Sequence, residues 1–537
     1  MVEQEEDARR IDTSGPARST AWALAPFLVL LSIATASSAE TVLRSRLNSD
    51  IASTDPGMKR DENTDAVLLH VVEGLVASRE DGSVAPMLAT GWTRAPDGRS
   101  YRFTLRQGVH FHNGAPLTPA EVVWSLRRYL APESHWRCKS EFGPHGIARV
   151  LAVQATGTDA VTITLDRPAP MFLKVLARSD CGEAGILHPS SVDAQGHWIA
   201  PIGTGPFRFS EWRRNQFVDL VRFPTYSSLP GPRDGNGGGK HPLVDRLHFE
   251  IIPDGSSATA ALMRDSLDIL DNLAPNELGE LTGRSDIRLS IAPTMDLYAL
   301  LFQTRDPVLS DPRIRRAIAL SLDVGALTRV ATHGTATANS SFIPAVSPYS
   351  NAAIHTLIQQ DLARARALVR DSGYQGAPIE LLTNRRYPQA FDSAIIIQAM
   401  ARAIGLRMEI VTLDWATQLA RYAHGDYQAM VFLYSARLDP SLILDSLLGD
   451  RTADPRKVWD DPKAISLLEQ SMSVDDRDDR QHIFDTLDRQ FREDVPAVVL
   501  FNTARIAAMR ARVAGYQGWA GALQRLWDVD PGRRTDP

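Results

Sequence analysis

Two histidines separated by one residue are the first side chains in this sequence that could perform chemistry. His110 and His112 stand in "FTLRQGVHFHNGAPLTPAEVVWSL", residues 103–126. In an extended strand, residues two apart share a face, so both imidazoles could reach one metal ion. Such a site needs a third ligand, and the spacing of the other histidines identifies none.

The same segment has the pattern of a strand, a turn and a capped helix. Asn113-Gly114 is typical of a tight turn. Thr118 is the expected N-cap of the helix that follows, with Pro119 at N1 and Glu121 at N3 of a capping box. This scaffold interpretation accounts for more of the segment than a metal site does, and we favour it.

The rest of the sequence contains no recognised catalytic or cofactor motif. Gly-x-Ser-x-Gly, His-Glu-x-x-His, Cys-x-x-Cys, calcium-loop and dinucleotide patterns are all missing. The "GGGK" in residues 226–242 is not a phosphate-binding loop, because Asp234 stands where the first glycine is required and His241 follows the lysine. We expect that segment to be a flexible surface loop, and we expect no catalytic residue, metal or cofactor.

Composition narrows the class of protein. The chain has 537 residues, of which 44% are hydrophobic and 23% charged, as in a globular protein of two or three domains. The net charge is -6 and no long basic run occurs, so we expect no nucleic-acid partner.

The N-terminus and the two cysteines indicate export. Arg9, Arg10 and Arg18 precede a short apolar run at residues 21–34, and small residues follow up to Ala39. This predicts a signal peptide over residues 1–39 and a periplasmic protein, although acidic residues outnumber the arginines before the run. A membrane anchor, the alternative, needs about 20 apolar residues.

Cys138 and Cys181 are the only cysteines of the chain. In an oxidising compartment they would form a disulfide that closes a loop of about 43 residues and stabilises the fold by about 4 kcal/mol. Two buried free thiols are the alternative.

The hydrophobic pattern changes along the chain. Up to about residue 300, short alternating segments such as "SYRFTLR" and "AVTITLD" predict strands. From about residue 310, helices dominate. One begins at Asp311 as N-cap with Pro312 at N1, and another ends before Gly373. Short apolar strands between these helices indicate an α/β lobe.

Five ordered segments then carry a resemblance to a known family. They are "VVEGLV" (71–76), "VAPMLATGW" (84–92), the histidine segment itself, "PIGTGPFRFSEW" (201–212) and "LFQTRDPVLSDPRIRRAIALSLD" (301–323). Together they resemble the large extracytoplasmic solute-binding proteins of ABC importers, the family that binds oligopeptides, dipeptides, nickel and opines. "FHNG" within the histidine segment is similar to the family's usual "FHDG", which further favours the scaffold interpretation.

This resemblance implies an α/β fold of two lobes with mixed sheets, in which two chain crossings form a hinge and ligand is enclosed as in a Venus flytrap. The expected segments are residues 40–82, 200–290 and 496–537 for lobe I, 83–199 for a domain inserted into lobe I, and 291–495 for lobe II. We expect a monomeric receptor that passes a peptide or peptide-sized polar metabolite to a membrane permease without altering it. The alternatives are an exported metal-dependent hydrolase, or a chaperone or signalling receptor on the same fold.

The resemblance also implies where ligand binds. "DENT" (Asp61, Glu62, Asn63 and Thr64) matches an exposed strand along the cleft, whose backbone could pair with an extended ligand. A solvated loop is the alternative for this segment.

"LYSARLDPSL" (433–442) is the second matching segment. Peptide-binding relatives carry an Asp four residues before its Pro, but here that position is Ala436. Its neighbour Arg437 could bind a carboxylate or a phosphate instead, and an interlobe salt bridge is the alternative. Leu433, Ser435 and Asp439 belong to the same candidate site.

Three aromatic residues match positions at or beside the cleft. Trp415, Tyr434 and Phe501 could stack on ligand at low entropic cost. Each could equally belong to the hydrophobic core.

Overall fold

The computed structural model describes residues 40–59, 61–144 and 146–533. The predicted signal peptide, residues 1–39, lies outside these described residues.

The strands follow one another along the whole described chain. In order they are β1 (Val42–Leu47), β2 (Val76–Ser78), β3 (Val84–Pro86), β4 (Ala89–Arg94), β5 (Ser100–Leu105), β6 (Val150–Thr156), β7 (Ala160–Leu165), β8 (Phe207–Arg213), β9 (Phe217–Arg222), β10 (Arg233–Asp234), β11 (Gly237–Gly238), β12 (Arg246–Ile251), β13 (Ile269–Leu270), β14 (Ile287–Phe302), β15 (Thr337–Ala338), β16 (Ile379–Asn384), β17 (Met408–Leu413), β18 (Ala429–Tyr434) and β19 (Ala497–Arg510).

Helices are concentrated in the second half. They are α1 (Glu62–Leu68), α2 (Pro119–Leu130), α3 (Phe172–Leu176), α4 (Gly255–Met263), α5 (Pro312–Ser321), α6 (Val324–Ala331), α7 (Leu362–Asp371), α8 (Pro388–Arg402), α9 (Trp415–His424), α10 (Pro440–Leu447), α11 (Pro462–Ser473) and α12 (Arg477–Asp494). Short 3₁₀ turns occur at Lys139–Phe142, Ser179–Ala184, Pro189–Ser191 and Pro275–Glu280.

One mixed sheet connects the two halves of the molecule. Its strand order is β17-β16-β18-β14-β19-β13-β1-β12-β9-β8, and β15 pairs with β19 at one side. The antiparallel strands β14 and β19, here called the crossing strands, run through both halves, and their register shifts between Pro293 and Leu297. Before this irregularity β14 pairs with β19; after it, β14 pairs with both β19 and β18.

Each lobe has its own hydrophobic core. In lobe I, Leu43, Phe103 and Phe249 belong to one buried cluster that also includes the second sheet, β4-β5-β7-β6. In lobe II the sheet is covered on both faces, with Leu300 in the cluster on one face and Leu301 in the cluster on the other. Two separately packed cores joined by two strands are a structural basis for hinge motion.

Local signals in the sequence predicted several elements correctly. Thr118 and Glu121 form the capping box of α2, and the Thr118 N–H donates to the Glu121 carboxylate at 3.0 Å. Asp311 caps α5, and Gly373 adopts φ +74° just beyond α7. These predictions are confirmed. They could be made from the sequence because caps depend on short-range hydrogen bonds and backbone conformation.

The prediction of a flexible surface loop at residues 226–242 was wrong. The segment contains the β10–β11 hairpin and Lys240, whose side chain is fully buried. The ammonium of Lys240 lies 3.5 Å from the Glu73 carboxylate and 4.7 Å from the centre of the Trp527 ring. A buried carboxylate and an aromatic face, both distant in sequence, stabilise a segment that its Gly and Pro content alone would leave mobile.

Candidate functional site

A cleft of about 540 Å³ lies where the crossing strands pass between the lobes. Such a volume suits a ligand of the size of a small peptide. The chain before β14 contributes Arg46, Asp61, Glu62, Asp65, Arg137, Asp180 and Glu277. The chain between β14 and β19 contributes Arg385, Arg386, Tyr387, Trp415, Leu433, Ser435 and Arg437. The crossing strands contribute Asp296, Tyr298 and Arg505. Charged and aromatic side chains from both lobes therefore face one space.

Aromatic rings form part of the wall of this cleft. Trp415, the first residue of α9, meets Tyr387 edge to face at 5.2 Å and stacks on Phe432 at 5.7 Å. The structure therefore places Trp415 at the cleft, as the sequence predicted. Tyr387 and Tyr298 were not predicted; they lie directly before α8 and on β14.

Tyr434 and Phe501 do not line this cleft, which corrects their assignment. Leu433 and Ser435 do line it, and because successive side chains of a strand point to opposite faces, Tyr434 points into the core. Its hydroxyl accepts from Tyr422 at 3.3 Å. Phe501 is fully buried and stacks behind Tyr298 at 4.8 Å, so it supports the wall without forming it.

"DENT" is a helix start and not an exposed strand. Asp61 is the N-cap of α1, and its carboxylate accepts from the Thr64 N–H at 2.8 Å. Asn63 and Thr64 are buried, and the Asn63 amide donates to Ser49. Backbone hydrogen bonding within α1 leaves no edge with which a ligand could pair, while Asp61 and Glu62 still line the cleft.

Arg437 lines the cleft and forms an ion pair across it. Its guanidinium lies 2.9 Å from Asp180, which also contacts Arg137 at 3.2 Å and Arg178 at 3.0 Å. Burial alone would raise the pKa of Asp180, but Arg178, Arg437 and Arg137 hold it well below its usual range. The interlobe salt bridge, the alternative for Arg437, is thus the arrangement that the structure contains.

The cysteines lie beside this ion-pair cluster. Cys138 and Cys181 are joined by a disulfide with 5.7 Å between their Cα atoms. Cys138 directly follows Arg137, and Cys181 directly follows Asp180. The cross-link therefore ties together two members of the charge cluster that faces Arg437.

Asp439 lies outside the main cleft, which is a second correction in this segment. It caps α10 by accepting from the Ser441 N–H at 3.0 Å. Its buried carboxylate also contacts Lys174 of α3 and Arg480 of α12, at 2.7 Å for Arg480. Although burial favours the neutral acid, Lys174 and Arg480 keep the pKa of Asp439 below its usual value. Asp439 thus joins α3, α10 and α12.

His110 and His112 belong to the scaffold. Each makes a backbone contact: His110 forms a bridge with Pro116, and His112 Nε2 lies 3.0 Å from the Gly205 carbonyl oxygen. Burial lowers the pKa of His112 to about 4. The segment that contains the two histidines is therefore held against residues 203–205.

Sequence reasoning missed two arginines at the start of α8. Arg385 and Arg386 line the cleft, and both are exposed. Both guanidinium groups lie over aromatic rings: Arg385 is 3.9 Å from the centre of the Phe391 ring, and Arg386 is 5.7 Å from the centre of the Tyr387 ring. Within the described residues neither has a carboxylate partner, and the N-terminus of α8 adds partial positive charge nearby. The signal in the sequence was the pair "RRYP" directly before a helix.

Sequence reasoning also missed a carboxyl group on β14. Asp296 lies in the irregular part of the crossing strands and lines the cleft. Its carboxylate accepts from the Ala436 N–H at 2.6 Å and from the Thr294 hydroxyl at 3.1 Å. Burial, with a smaller contribution from Glu62, raises its pKa to about 6. Because Asp296 is a single acidic residue within a long strand, the neighbouring sequence did not indicate that it lines the cleft.

Comparisons with known proteins agree with this architecture. Residues 83–454, more than half of the chain, match the family described as "Bacterial extracellular solute-binding proteins, family 5 Middle". The chain is 28% identical over 466 residues to "Probable di/tripeptide-binding protein 5" of Pseudomonas aeruginosa (strain UCBPP-PA14), covering 81% of this chain and 85% of that protein. It is 26% identical over 386 residues to the glutathione-binding protein GsiB of Salmonella typhi, covering 71% of each.

Solved structures share the fold. NikA from Brucella suis, in complex with Fe(III)-EDTA, superposes with a TM-score of 0.79 at 20% identity, covering 91% of this chain and 99% of that one. The PBP AgaA from A. tumefacien R10, in complex with agropinic acid, gives 0.76 at 24% identity, covering 92% and 99%. The two-lobed fold and the resemblance drawn from the five motifs are thereby confirmed: this chain belongs to the family 5 bacterial extracellular solute-binding proteins.

Proposed function

We propose that this protein is the substrate-binding subunit of an ABC importer and that it captures a peptide or peptide-sized polar metabolite with an anionic group. One observation carries the choice of ligand: Arg385 and Arg386 face the cleft and, among the described residues, have no carboxylate partner. A guanidinium binds carboxylate and phosphate through paired hydrogen bonds. The named relatives that bind di- and tripeptides or glutathione support the same size and polarity.

The aromatic wall supports a ligand with an extended middle portion. Trp415 and Tyr387 offer flat surfaces beside the two arginines. Such rings contact varied side chains or a backbone without large entropic cost. The cleft thus combines a charged contact, which fixes orientation, with tolerant apolar contacts.

We further propose that the ligand leaves chemically unchanged. The described residues that line the cleft include no histidine, cysteine or lysine, and its serines and threonines have no histidine beside them there. This favours the receptor over the exported metal-dependent hydrolase. The fold alone leaves a chaperone or signalling role as a second candidate, but the arginines aimed at the cleft favour solute capture.

Membership of the family supports a proposal about export and partners. Family members are extracytoplasmic, so we propose that residues 1–39 direct export and that the loaded protein meets a membrane permease as a monomer, without nucleic acid. Among the described residues, no helix has the length and apolar character needed to cross a bilayer. The proposed division places the hinge at the crossing strands, with residues 83–199 as an insertion in lobe I.

The test uses a tripeptide pool built without Lys, Arg, His, Asp or Glu, so that only the chain ends carry charge; we call it the free pool. Purified protein is incubated with the free pool and with the same pool amidated at the C-terminus, and retained peptides are identified by mass spectrometry. We expect capture of free peptides, with amidated peptides retained at least about tenfold less, because they lack the carboxylate. Equal retention of both pools would contradict the assigned anionic contact, and recovery of altered peptides would contradict the receptor.

A further inference from the structure

The acidic residues of the cleft differ in their partners. Asp180 contacts three arginines, Asp65 contacts Arg137 at 3.2 Å, and Glu62 contacts Arg505. Asp296 has no basic partner within salt-bridge distance among the described residues. It is therefore an acid of the cleft whose charge the protein itself leaves without a direct counter-ion.

The hydrogen bonds of Asp296 hold its position but do not neutralise it. Ala436 N–H donates to one carboxylate oxygen at 2.6 Å, and the hydroxyls of Thr294 and Thr503 lie 3.1 and 3.4 Å from the other. An ionised carboxylate has about four acceptor sites, so capacity for another donor remains. These neutral donors fix the direction in which the group faces the cleft.

A purely structural role does not require an acid at this position. The contact with Ala436, which ties the end of β18 to β14, needs only an acceptor, and an asparagine oxygen would supply one. Removing a carboxylate from water without a counter-ion costs free energy, which is reflected in the raised pKa of Asp296. An acid at this position is explained if a cation arrives with the ligand.

The position of Asp296 suits that contact. It lies within the irregularity of β14 between Pro293 and Leu297, and Tyr298 lies two residues further along the same wall. An irregular strand commonly redirects a side chain in this way. A ligand that contacts Asp296 is thus held at the crossing strands, where both lobes can close on it.

We propose that Asp296 binds a cationic nitrogen of the ligand, so that the transported solute is a zwitterion whose ammonium contacts Asp296 while its anionic group contacts Arg385 and Arg386. The inference rests on the proposed function and deepens it by naming the charge that the solute carries at its other end. No bond is made or broken.

The test adds a third pool, the free pool acetylated at its N-terminus, which removes the ammonium and keeps the carboxylate. We expect the wild type to retain free peptides about ten- to a hundredfold better than acetylated ones, as for a hydrogen-bonded charge. Asp296→Asn should abolish most of this preference while retaining acetylated peptides as the wild type does. Glu133→Gln, which removes the same charge from an exposed residue outside the cleft, should behave like the wild type.

The outcomes separate the two proposals. Equal retention of free and acetylated peptides by the wild type would overturn the role of Asp296 while leaving the peptide receptor intact, and so would an unchanged preference in Asp296→Asn. Retention of neither pool would overturn both proposals. Should Asp296→Asn fail to fold, a crystal structure of the wild type with its best-retained peptide decides: an ammonium nitrogen within about 3.2 Å of the Asp296 carboxylate supports the proposal, and any other location overturns it.

Discussion

Two sets of arginines face the same cleft and serve it differently. Arg437 is partly buried and Arg505 is buried, with side chains 13% and 9% exposed, and both are paired with carboxylates of the protein. Arg385 and Arg386 are exposed and contact aromatic rings. A cation that already has a carboxylate partner fixes the relative position of the elements it joins, whereas one without such a partner can offer its hydrogen bonds to a solute. The first set, Arg437 and Arg505, therefore fixes the shape of the cleft, and the second set, Arg385 and Arg386, is available to bind the ligand.

Removing the disulfide should produce the largest effect, because the cross-link holds in place Asp180, the carboxylate that pairs with Arg437. We expect Cys138→Ser combined with Cys181→Ser to lower the free energy of unfolding by about 4 kcal/mol, the value for a closed loop of this length. Urea unfolding followed by circular dichroism measures this. The same variant should retain the free pool more weakly, since Asp180 would lose its fixed position opposite Arg437. An unchanged midpoint would mean that the packing around residues 138 and 181 holds the loop without the cross-link.

Replacing the second set should impair binding while sparing the fold. We expect Arg385→Ala with Arg386→Ala to weaken retention of the free pool about a hundredfold, because two charge-assisted contacts to the carboxylate are lost. The thermal midpoint should stay within about 2 °C, as is usual for exposed residues. Isothermal titration with the best-retained peptide gives the affinities.

The chain offers a matched control for this pair. Arg213 and Arg214 are also adjacent and exposed, they also contact aromatic rings, and they do not line the cleft. Arg213→Ala with Arg214→Ala should bind as the wild type does. If both double variants lost affinity equally, general positive charge and not the placement of Arg385 and Arg386 would be responsible.

The difference between the two sets of arginines also indicates which features could be predicted from the sequence. The capped helices followed from short-range patterns, since caps depend on neighbouring residues, whereas the family and the cleft position of Trp415 followed from the resemblance of the ordered motifs. The partner of Arg437 could not be predicted, because Asp180 is 257 positions away in the sequence and meets it only when the lobes are in place.

Errors in the site assignment have the same physical origin. Phe501 and Tyr434 are aromatic residues on strands near the cleft, and only the register of β18 and β19 decides which face each side chain occupies. Asp296 was overlooked because its environment comes from three separate segments. "DENT" was assigned to a strand from resemblance, although Asp61 ahead of an apolar run is itself an N-cap signal.

Arg437→Ala should have a smaller effect than loss of the second set. Asp180 keeps Arg178 and Arg137, so its charge stays compensated and we expect little loss of folding stability. The closed arrangement of the lobes should become less populated, which lowers apparent affinity in proportion, by about tenfold. Arg437→Lys, which retains the charge, should recover part of the affinity. A loss as large as that of the Arg385/Arg386 variant would place Arg437 in direct contact with solute and end the distinction between the two sets.

The smallest expected effect is the pH dependence of peptide affinity. It tests whether the ligand contacts an acid, Asp296, at one point of the cleft and the two arginines at another. Asp296 has a pKa of about 6, and the charged groups near it are Glu62 on α1, Arg505 on β19 and Arg437 after β18. A bound ammonium favours the ionised carboxylate and therefore lowers this pKa. Affinity for a free peptide should be highest near pH 7 and should fall as the pH drops through 6, by at most about tenfold per pH unit; at pH 8 it should fall about twofold, because the peptide's own α-amino group begins to lose its proton. Titrations of the free peptide at pH 5, 6, 7 and 8 measure this dependence.

The acetylated form of the peptide should show no such fall at low pH, because it presents no cation to Asp296. Asp296→Asn should show no fall at low pH with either peptide. A fall at low pH that persists in Asp296→Asn would assign the pH dependence to another group and would leave Asp296 a structural acceptor for Ala436.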